Sequence, residues 1–365
     1  MNRTNTRRVP AMLSVLLLFA GCASVVEQRP ADKVTTPPLA VTVMTFNVEN
    51  LFDNEDDPGK DDKAYLPIEA KQNSAHIAAC NEITVARWRD ECLNLDWSDA
   101  AIERKLTVIA DTIRQVNGGQ GADIIALQEV ENIAILERLR STYLADLAYQ
   151  PAILVEGADL RGIDVAFLSK LPLAHTPILH PLSLLQFGDR EGDTRGVLQA
   201  DFELADGSIL TGFSVHFPAP FHPTGMRIAA YQQLTELLMS LPDERPAFAA
   251  GDFNTTSTED SEKRMLDAYA RPHWTLAHDI GCADCKGSHY YARDDSWSFL
   301  DMILFADARG GNTTARIRAD SVQIANLNPA QVSRDGTPER YHSASGIGVS
   351  DHWPMIATIE LTQKQ

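Results

Sequence analysis

Short runs of β-branched and aliphatic residues recur along this chain, and most of them stop at a cluster of polar side chains. Val41-Thr-Val-Met-Thr-Phe46 reads as a first strand, and similar runs lie at 123–128, 163–168, 197–204, 208–217, 247–250, 299–305 and 355–361. Between the first two, Ile102, Leu106, Ile109, Ile113 and Val116 recur at helical spacing, with Ser98 or Asp99 placed to cap the start and Gly118-Gly119 the end. Further helical patterns occupy 132–142, 225–240 and 259–269. The runs 197–204 and 208–217, joined through Asp206-Gly207, predict a hairpin. Hairpins mixed with helices point to a largely antiparallel α/β sandwich instead of a doubly wound parallel sheet, and no break in the pattern asks for a second folded domain.

Composition agrees with one sizeable core. Of 365 residues, 44% are hydrophobic and 22% charged, and no period repeats, which excludes disordered, solenoid and collagen-like chains. With 32 Lys+Arg against 50 Asp+Glu the formal charge is −18. Such a surface repels polyphosphate at long range, so phosphate chemistry here needs a cation.

Residues 1–21 read as an export signal: Arg3, Arg7 and Arg8 precede the apolar run Met12–Ala20, which is too short to span a bilayer. Leu18-Phe-Ala-Gly-Cys22 resembles a bacterial lipobox, with Phe19 where Leu is usual. That resemblance implies lipidation of Cys22, a tether over 22–39, and a membrane-anchored protein at the outer membrane of a Gram-negative cell. A plain secretory signal is the alternative. The four remaining cysteines allow three pairings. Cys80 with Cys92 and Cys282 with Cys285 is the sequence-local choice; alternatively, Cys282-x-x-Cys285 with His278 and His289 is half of a zinc site, which lacks a nearby second pair.

The polar strand ends carry the chemistry. Asn47 and Glu49 follow the first run, Gln128 and Glu129 end the second, His216 ends another, Gly251-Asp-Phe-Asn254 closes a fourth, and Ser350-Asp-His352 precedes the last. Singly, each has a bland explanation: a Gly-Asp-x-Asn is usually a turn that bonds its own backbone, and an Asp-His in a loop is usually solvated. Asp301 is harder to dismiss, because it interrupts the apolar run 299–305, where an ionised carboxylate needs a partner. A histidine is the obvious one. Together, these groups offer hard oxygen ligands for a magnesium-type ion plus an acid–base apparatus, and no nitrogen-rich zinc set is present.

Thr45-Phe-Asn-Val-Glu-Asn-Leu-Phe-Asp53, Leu127-Gln-Glu-Val-Glu131, Arg161-Gly-Ile-Asp-Val-Ala166, Val215-His216, Gly251-Asp-Phe-Asn254, Leu300-Asp301 and Gly348-Val-Ser-Asp-His352 resemble, in order, the motifs of the endonuclease/exonuclease/phosphatase superfamily. The resemblance spans residues 40–363. It implies a four-layer α/β sandwich and Mg²⁺-dependent hydrolysis of phosphoesters, with Mn²⁺ as the substitute ion. It also implies metal ligation by Glu129, Asn47 and Asp351 with Glu49 more peripheral, and a water-activating, phosphate-holding pair in Asp252 and Asn254. A His352–Asp301 dyad and phosphate contact by His216 complete the implied set. Arg161 and Arg195, next to apparent strands, are candidates to clamp phosphate, the alternative being salt bridges or loop staples.

Residues 54–97 form an acidic insertion. Asp53, Glu55 and Asp57 alternate as in a calcium loop, but Pro58 and Ala64 stand where glycine and glutamate are required, so that motif fails and a solvated acidic face is the simpler reading. Trp88 and Trp97 are candidates for a rim over the site. An extracytoplasmic nuclease is the favoured function, with nucleic acid as substrate. A phosphodiesterase or phosphatase for lipid headgroups or small phosphoesters is the alternative. A catalytically inactive binding lipoprotein would have lost site groups, yet every motif position holds a competent side chain.

Overall fold

The computed structural model describes residue 1 and residues 39–187, 194–311 and 313–363; the export signal, Cys22 and the tether as far as residue 38 lie outside the described residues. One sheet is built from β1 (Leu39–Leu51), β2 (Ile124–Val130), β3 (Ile153–Leu154), β4 (Asp164–Ser169), and, from the C-terminal part, β13 (Thr313–Ile324) and β14 (Met355–Gln363). Its order is β13-β14-β1-β2-β4-β3. A second sheet is ordered β5-β6-β7-β8-β12-β9, with β5 (Ile178–His180), β6 (Val197–Glu203), β7 (Ile209–His216), β8 (Ala247–Asp252), β9 (Thr275–Leu276) and β12 (Asp301–Ala306). A small ribbon pairs β10 (His289–Tyr291) with β11 (Ser296–Ser298).

Every pairing is antiparallel except one in the middle of each sheet, β1 with β2 and β7 with β8. Parallel neighbours need crossovers, and helices supply them: α3 (Asp99–Arg114) between β1 and β2, α5 (Thr224–Ser240) between β7 and β8. The expected 197–217 hairpin is present as β6–β7. Because each parallel pair runs one way, four central strands deliver their C-terminal residues to the same end of the molecule.

The sheets are buried on both faces, so their strands alternate between two cores. Val41 and Val43 of β1, Ile124 and Ala126 of β2, Phe248 of β8 and Ile303 of β12 fill the space between the sheets. Met44, Phe46, Ile125 and Leu127 face outward under Ile102, Leu106, Ile109 and Ile113 of α3, the apolar stripe of the sequence. Phe213 and Val215 pack beneath Met226, Ala230 and Leu234 of α5. The result is the four-layer α/β/β/α sandwich.

Some boundaries differ from expectation. Ser98 is the N-cap residue of α3 but its side chain makes no capping bond, and that helix stops at Arg114, before the glycines. The 132–142 pattern is α4 (Ile133–Arg138), capped by the Asn132 side chain and continued by a π-helical turn over Leu139–Tyr143. The 259–269 pattern is broken at Arg264, whose left-handed backbone (φ 52°) separates α6 (Ser257–Lys263) from α7 (Met265–Tyr269). The short α8 (Ala277–Ile280) follows β9.

The insertion is folded. It contains α1 (Ser74–Asn81) and α2 (Ala86–Asn94), joined by a Cys80–Cys92 disulfide. The buried Lys71 ammonium donates to the carbonyls of Ala64 and Leu95, both at 2.6 Å. Trp97 is largely buried, stacks edge-on against Tyr65 and Tyr341, donates its indole N–H to the Phe52 carbonyl, and lines a cleft together with Glu49, Asn50 and Arg340. Trp88 is exposed. Cys282 and Cys285 form the second disulfide, which consumes the sulfurs the zinc alternative required. The acidic run is not uniformly solvated either, since Asp62 is buried.

Candidate active site

At the convergent strand ends the core between the sheets turns polar. Thr45 of β1 donates its hydroxyl to Gln128 of β2, whose amide N–H donates across to Ser214 of β7. One step further along the same inward-facing rows come Asn47, His216, Asp252 and Asp301. Backbone register sets the last three side by side, His216 opposite Asp252 and Asp252 opposite Asp301.

Local backbone irregularities aim the remaining groups. Glu49, Asn50 and Glu129 have φ between 52° and 63°, and the β1–β2 register shifts there, so paired bulges turn the Glu129 carboxylate toward Asn47. Its oxygens accept from Asn47 Nδ2 at 3.4 Å and from the Asn50 N–H at 3.1 Å. The Gly251-Asp-Phe-Asn254 turn serves both readings given to it. Asp252 Oδ1 accepts the Asn254 N–H at 2.8 Å, as a self-bonded turn should, which leaves Oδ2 facing Asn47 Nδ2 at 3.2 Å and His216 Nε2 at 3.5 Å. Gly251 is required here, because a Cβ at its φ of 157° would strike the Val215 carbonyl of the adjacent strand. Asn254 spends its amide N–H on the Phe217 carbonyl at 2.9 Å.

His352 reaches the site from the loop before β14. Its Nδ1 bonds Asp301 Oδ2 at 2.7 Å, and its Nε2 stands 4.0 Å from Asp252 Oδ2 and 3.9 Å from Asp351 Oδ1. Asn47, Glu129, His216, Asp252, Asp301, Asp351 and His352 are therefore linked by an unbroken chain of contacts.

Electrostatics separates the two histidines. Burial disfavours charge on both. At His352 the Asp301 carboxylate outweighs it, with Asp252 and Asp351 adding to the effect, and the pKa stands well above the usual value. At His216 no carboxylate lies as close as Asp301 does to His352, and burial and the charges of Arg195, Arg161 and His352 push its pKa well down, which favours the neutral ring. Asp252 is raised to about 7, chiefly by burial, against the pull of His352. Asp351 is lowered: burial opposes this, but His352 and Arg340 prevail. A buried cation, a neutral imidazole and a carboxylate poised near neutrality thus share one pocket.

The donor set fits a divalent cation. Glu129 has no Lys or Arg ion-pair partner among the described residues; its neighbour at 3.9 Å is the neutral His216. Glu129 and Asp351 are hard oxygen donors. Asn47 turns its Nδ2 toward Glu129 and Asp252 while its Oδ1 accepts the Glu49 N–H at 3.0 Å, so its oxygen would ligate only after the amide turns. His289, Asp351 and His352 also offer atoms within 4.8 Å of one another, but a protonated His352 cannot ligate. Glu49 is otherwise engaged: its carboxylate holds Arg340 at 2.5 Å and accepts the N–H groups of Tyr341 and Asp351, both at 3.1 Å. Burial and the charge of Asp351 raise it to about 7. Arg161 donates to Asn50 at 2.8 Å, and Arg195 pairs with Asp159 at 3.2 Å while its buried Nε has no partner among the described residues.

Three basic groups escaped the sequence reading of the site. Arg340 lies 3.5 Å from Asp351. Lys105 is fully buried, lowered to about 8 by burial, and donates to the Val349 carbonyl at 2.7 Å below the Asp351 loop. His289, considered only with the cysteines, has its ring 4.8 Å from that of His352 and is lowered to about 4 by burial and that neighbour's charge. A lysine on the apolar stripe of α3 was the one visible signal; Arg340 sits in a loop with no pattern.

Comparison with known proteins agrees with this geometry. The fold is similar to an endonuclease/exonuclease/phosphatase from Beutenbergia cavernae (TM-score 0.53, 16% identity, covering 89% of this chain and 72% of that one). It is similar to one from Bacteroides vulgatus (0.53, 17%, 88% and 99%), and to D. rerio TDP2 complexed with single strand DNA product (0.51, 12%, 88% and 98%). No curated protein matches in sequence at a significant level. The profile of the Endonuclease/Exonuclease/phosphatase family matches residues 92–361, a span that holds every site residue just described apart from those on β1. With the sandwich, the strand-end carboxylates and the His–Asp pair in place, the chain belongs to that family of metal-dependent phosphoesterases.

Proposed function

We propose that this protein is an exported, lipid-anchored, Mg²⁺-dependent phosphodiesterase that acts on nucleic acid as a nuclease. The observation that carries the reading is the meeting of Asp252, at about 7, with an Asp301-bound His352, the Glu129 and Asp351 carboxylates and the Asn47 amide. When bound there, Mg²⁺ supplies Lewis-acid polarisation of a phosphoryl oxygen and offsets its charge.

The chain's own residues do the rest. Asp252 Oδ2, with Oδ1 held by the Asn254 N–H, accepts the proton of the attacking water. His352 donates Nδ1–H to Asp301 and so presents Nε2–H, with full positive charge, to the oxygens where negative charge grows. The neutral His216 offers a hydrogen bond without competing for that charge. Asp301 fixes the His352 ring and its protonation. Arg161 and Arg195, near enough to depress His216, supply positive field on the substrate side of an otherwise acidic protein.

Nucleic acid is preferred because the polyanion suits these cations and because D. rerio TDP2, a structural neighbour, is known with a single-stranded DNA product. Plasmid DNA, RNA, sphingomyelin and bis-p-nitrophenyl phosphate, assayed side by side with Mg²⁺, with chelator and with His352→Ala, test the reading. DNA or RNA cleavage that chelator and His352→Ala both remove is the expected result. Turnover of sphingomyelin alone would transfer the assignment to lipid headgroups, and the absence of any turnover to a binding role. The anchor rests on the Cys22 segment; loss of detergent-phase partition in Cys22→Ser is its test.

A further inference from the structure

A second carboxylate cluster lies just past the C-terminal end of β2. Asp57, Asp62 and Glu131 offer oxygens that all lie within 4.8 Å of one another. Asp62 and Glu131 are 1% and 2% exposed. Each spends one oxygen on a backbone N–H, Asp62 Oδ2 on Asp57 at 2.9 Å and Glu131 Oε2 on Asp53 at 2.6 Å. The other oxygen of each, Asp62 Oδ1 and Glu131 Oε1, is buried without a hydrogen-bond partner among the described residues. None of the ion pairs among the described residues reaches Asp57, Asp62 or Glu131. The nearest lysines are committed elsewhere: Lys60 donates to the Gly157 and Asp159 carbonyls, and Lys63 pairs with Asp61.

Carboxylates packed together in a low-dielectric position, with vacant lone pairs and no counter-charge, repel one another strongly. A cation removes both deficits at once. We propose that Asp57, Asp62 and Glu131 hold a divalent cation of the calcium class, distinct from the catalytic centre, that clamps the acidic insertion to the end of β2. Calcium binds carboxylate oxygens at about 2.3–2.6 Å, which suits oxygens that all lie within 4.8 Å of one another, and it accepts the irregular, multidentate shell that a loop provides. The spacing is not that of a helix-loop-helix calcium motif because the third ligand is the residue that follows β2, some seventy residues away by chain count. The clamp acts on more than the insertion. The Asp61 N–H bonds the Leu160 carbonyl at 2.7 Å, and Lys60 holds Gly157 and Asp159, so the same ion steadies the loop that carries Arg161 and the Asp159 partner of Arg195.

The test counts bound calcium in the full chain by equilibrium dialysis with magnesium in excess. Wild type and Glu129→Gln should each retain one tightly bound calcium, and the isosteric Asp62→Asn/Glu131→Gln variant should lose it, together with the calcium-dependent rise in melting temperature. Equal calcium in wild type and the double variant, or none in wild type, overturns the proposal. Should the double variant fail to fold, terbium soaked into wild-type crystals decides: an anomalous peak among the three carboxylates supports the site, and no peak there overturns it. Neither readout uses catalysis, so the phosphoesterase reading can fail while this one stands.

Discussion

Asp301→Asn isolates the part of the site that electrostatics controls. The substitution keeps the shape and a hydrogen-bonding group beside His352 Nδ1 but deletes the charge 2.7 Å away, in a position with no solvent exposure. A hydrogen bond to a charged group is worth about 1.5–3 kcal/mol, and one pH unit is about 1.4 kcal/mol, so the His352 pKa should fall by about one to two units. Catalysis needs Asp252 deprotonated and His352 protonated, which gives a bell-shaped kcat/KM profile with an acid limb near 7 from Asp252 and an alkaline limb from His352. In Asp301→Asn the alkaline limb should move down by that amount, and the rate at the optimum should drop by about 10²–10³, within the usual range for a lost proton-transfer group. Stability moves with a defined sign. A histidine raised in the folded state adds stability that is fully present below its unfolded value near 6.5 and is lost as pH rises through the folded value. The variant should therefore melt lower than wild type at pH 6, with the gap closing at alkaline pH. Initial rates on bis-p-nitrophenyl phosphate from pH 5 to about 10, with melting curves over the same range, read all three. A folded variant with an unmoved alkaline limb and near-normal turnover would refute the dyad.

Gly251→Ala should destabilise the fold severely, by several kcal/mol, because the new methyl meets the Val215 carbonyl of a paired strand; a melting temperature within about 2 °C of wild type would contradict the close approach. Replacing Cys80 and Cys92 by serine opens a loop closed across 12 residues, with an expected loss of about 3 kcal/mol that urea denaturation measures; protease cleavage should concentrate in 63–95, and an unchanged midpoint and digestion pattern would mean that the insertion holds itself.

Much of the architecture was visible because two-sided burial makes the central strands continuous apolar runs, and because α3 has a clean stripe. The outer elements were not. β13 carries Arg316, Arg318 and Asp320 among its apolar positions and pairs with a single neighbour, so its alternation reads as loop. β1 continues past Phe46 to Leu51 through a bulge that a run of Asn, Glu and Asn does not advertise. The strand-end acids and histidines were legible as chemistry, since a polar residue inside an aliphatic run demands a partner. What surrounds them was not: Arg340 meets Glu49 across 291 residues, and only the folded chain makes them neighbours. The acidic run misled in the opposite sense. Local charge density suggested solvation, whereas Asp62 is drawn inward to Glu131 by tertiary structure.

The most direct test is hydrolysis of bis-p-nitrophenyl phosphate by chelator-stripped protein, measured before and after Mg²⁺ is restored, in wild type and in folded Asp252→Ala. Wild type should be silent when stripped and recover with Mg²⁺, while Asp252→Ala should stay at least about 10² slower under both conditions. Turnover that survives metal removal, or that Asp252→Ala leaves intact, would contradict a metal-assisted attack of water organised at these strand ends.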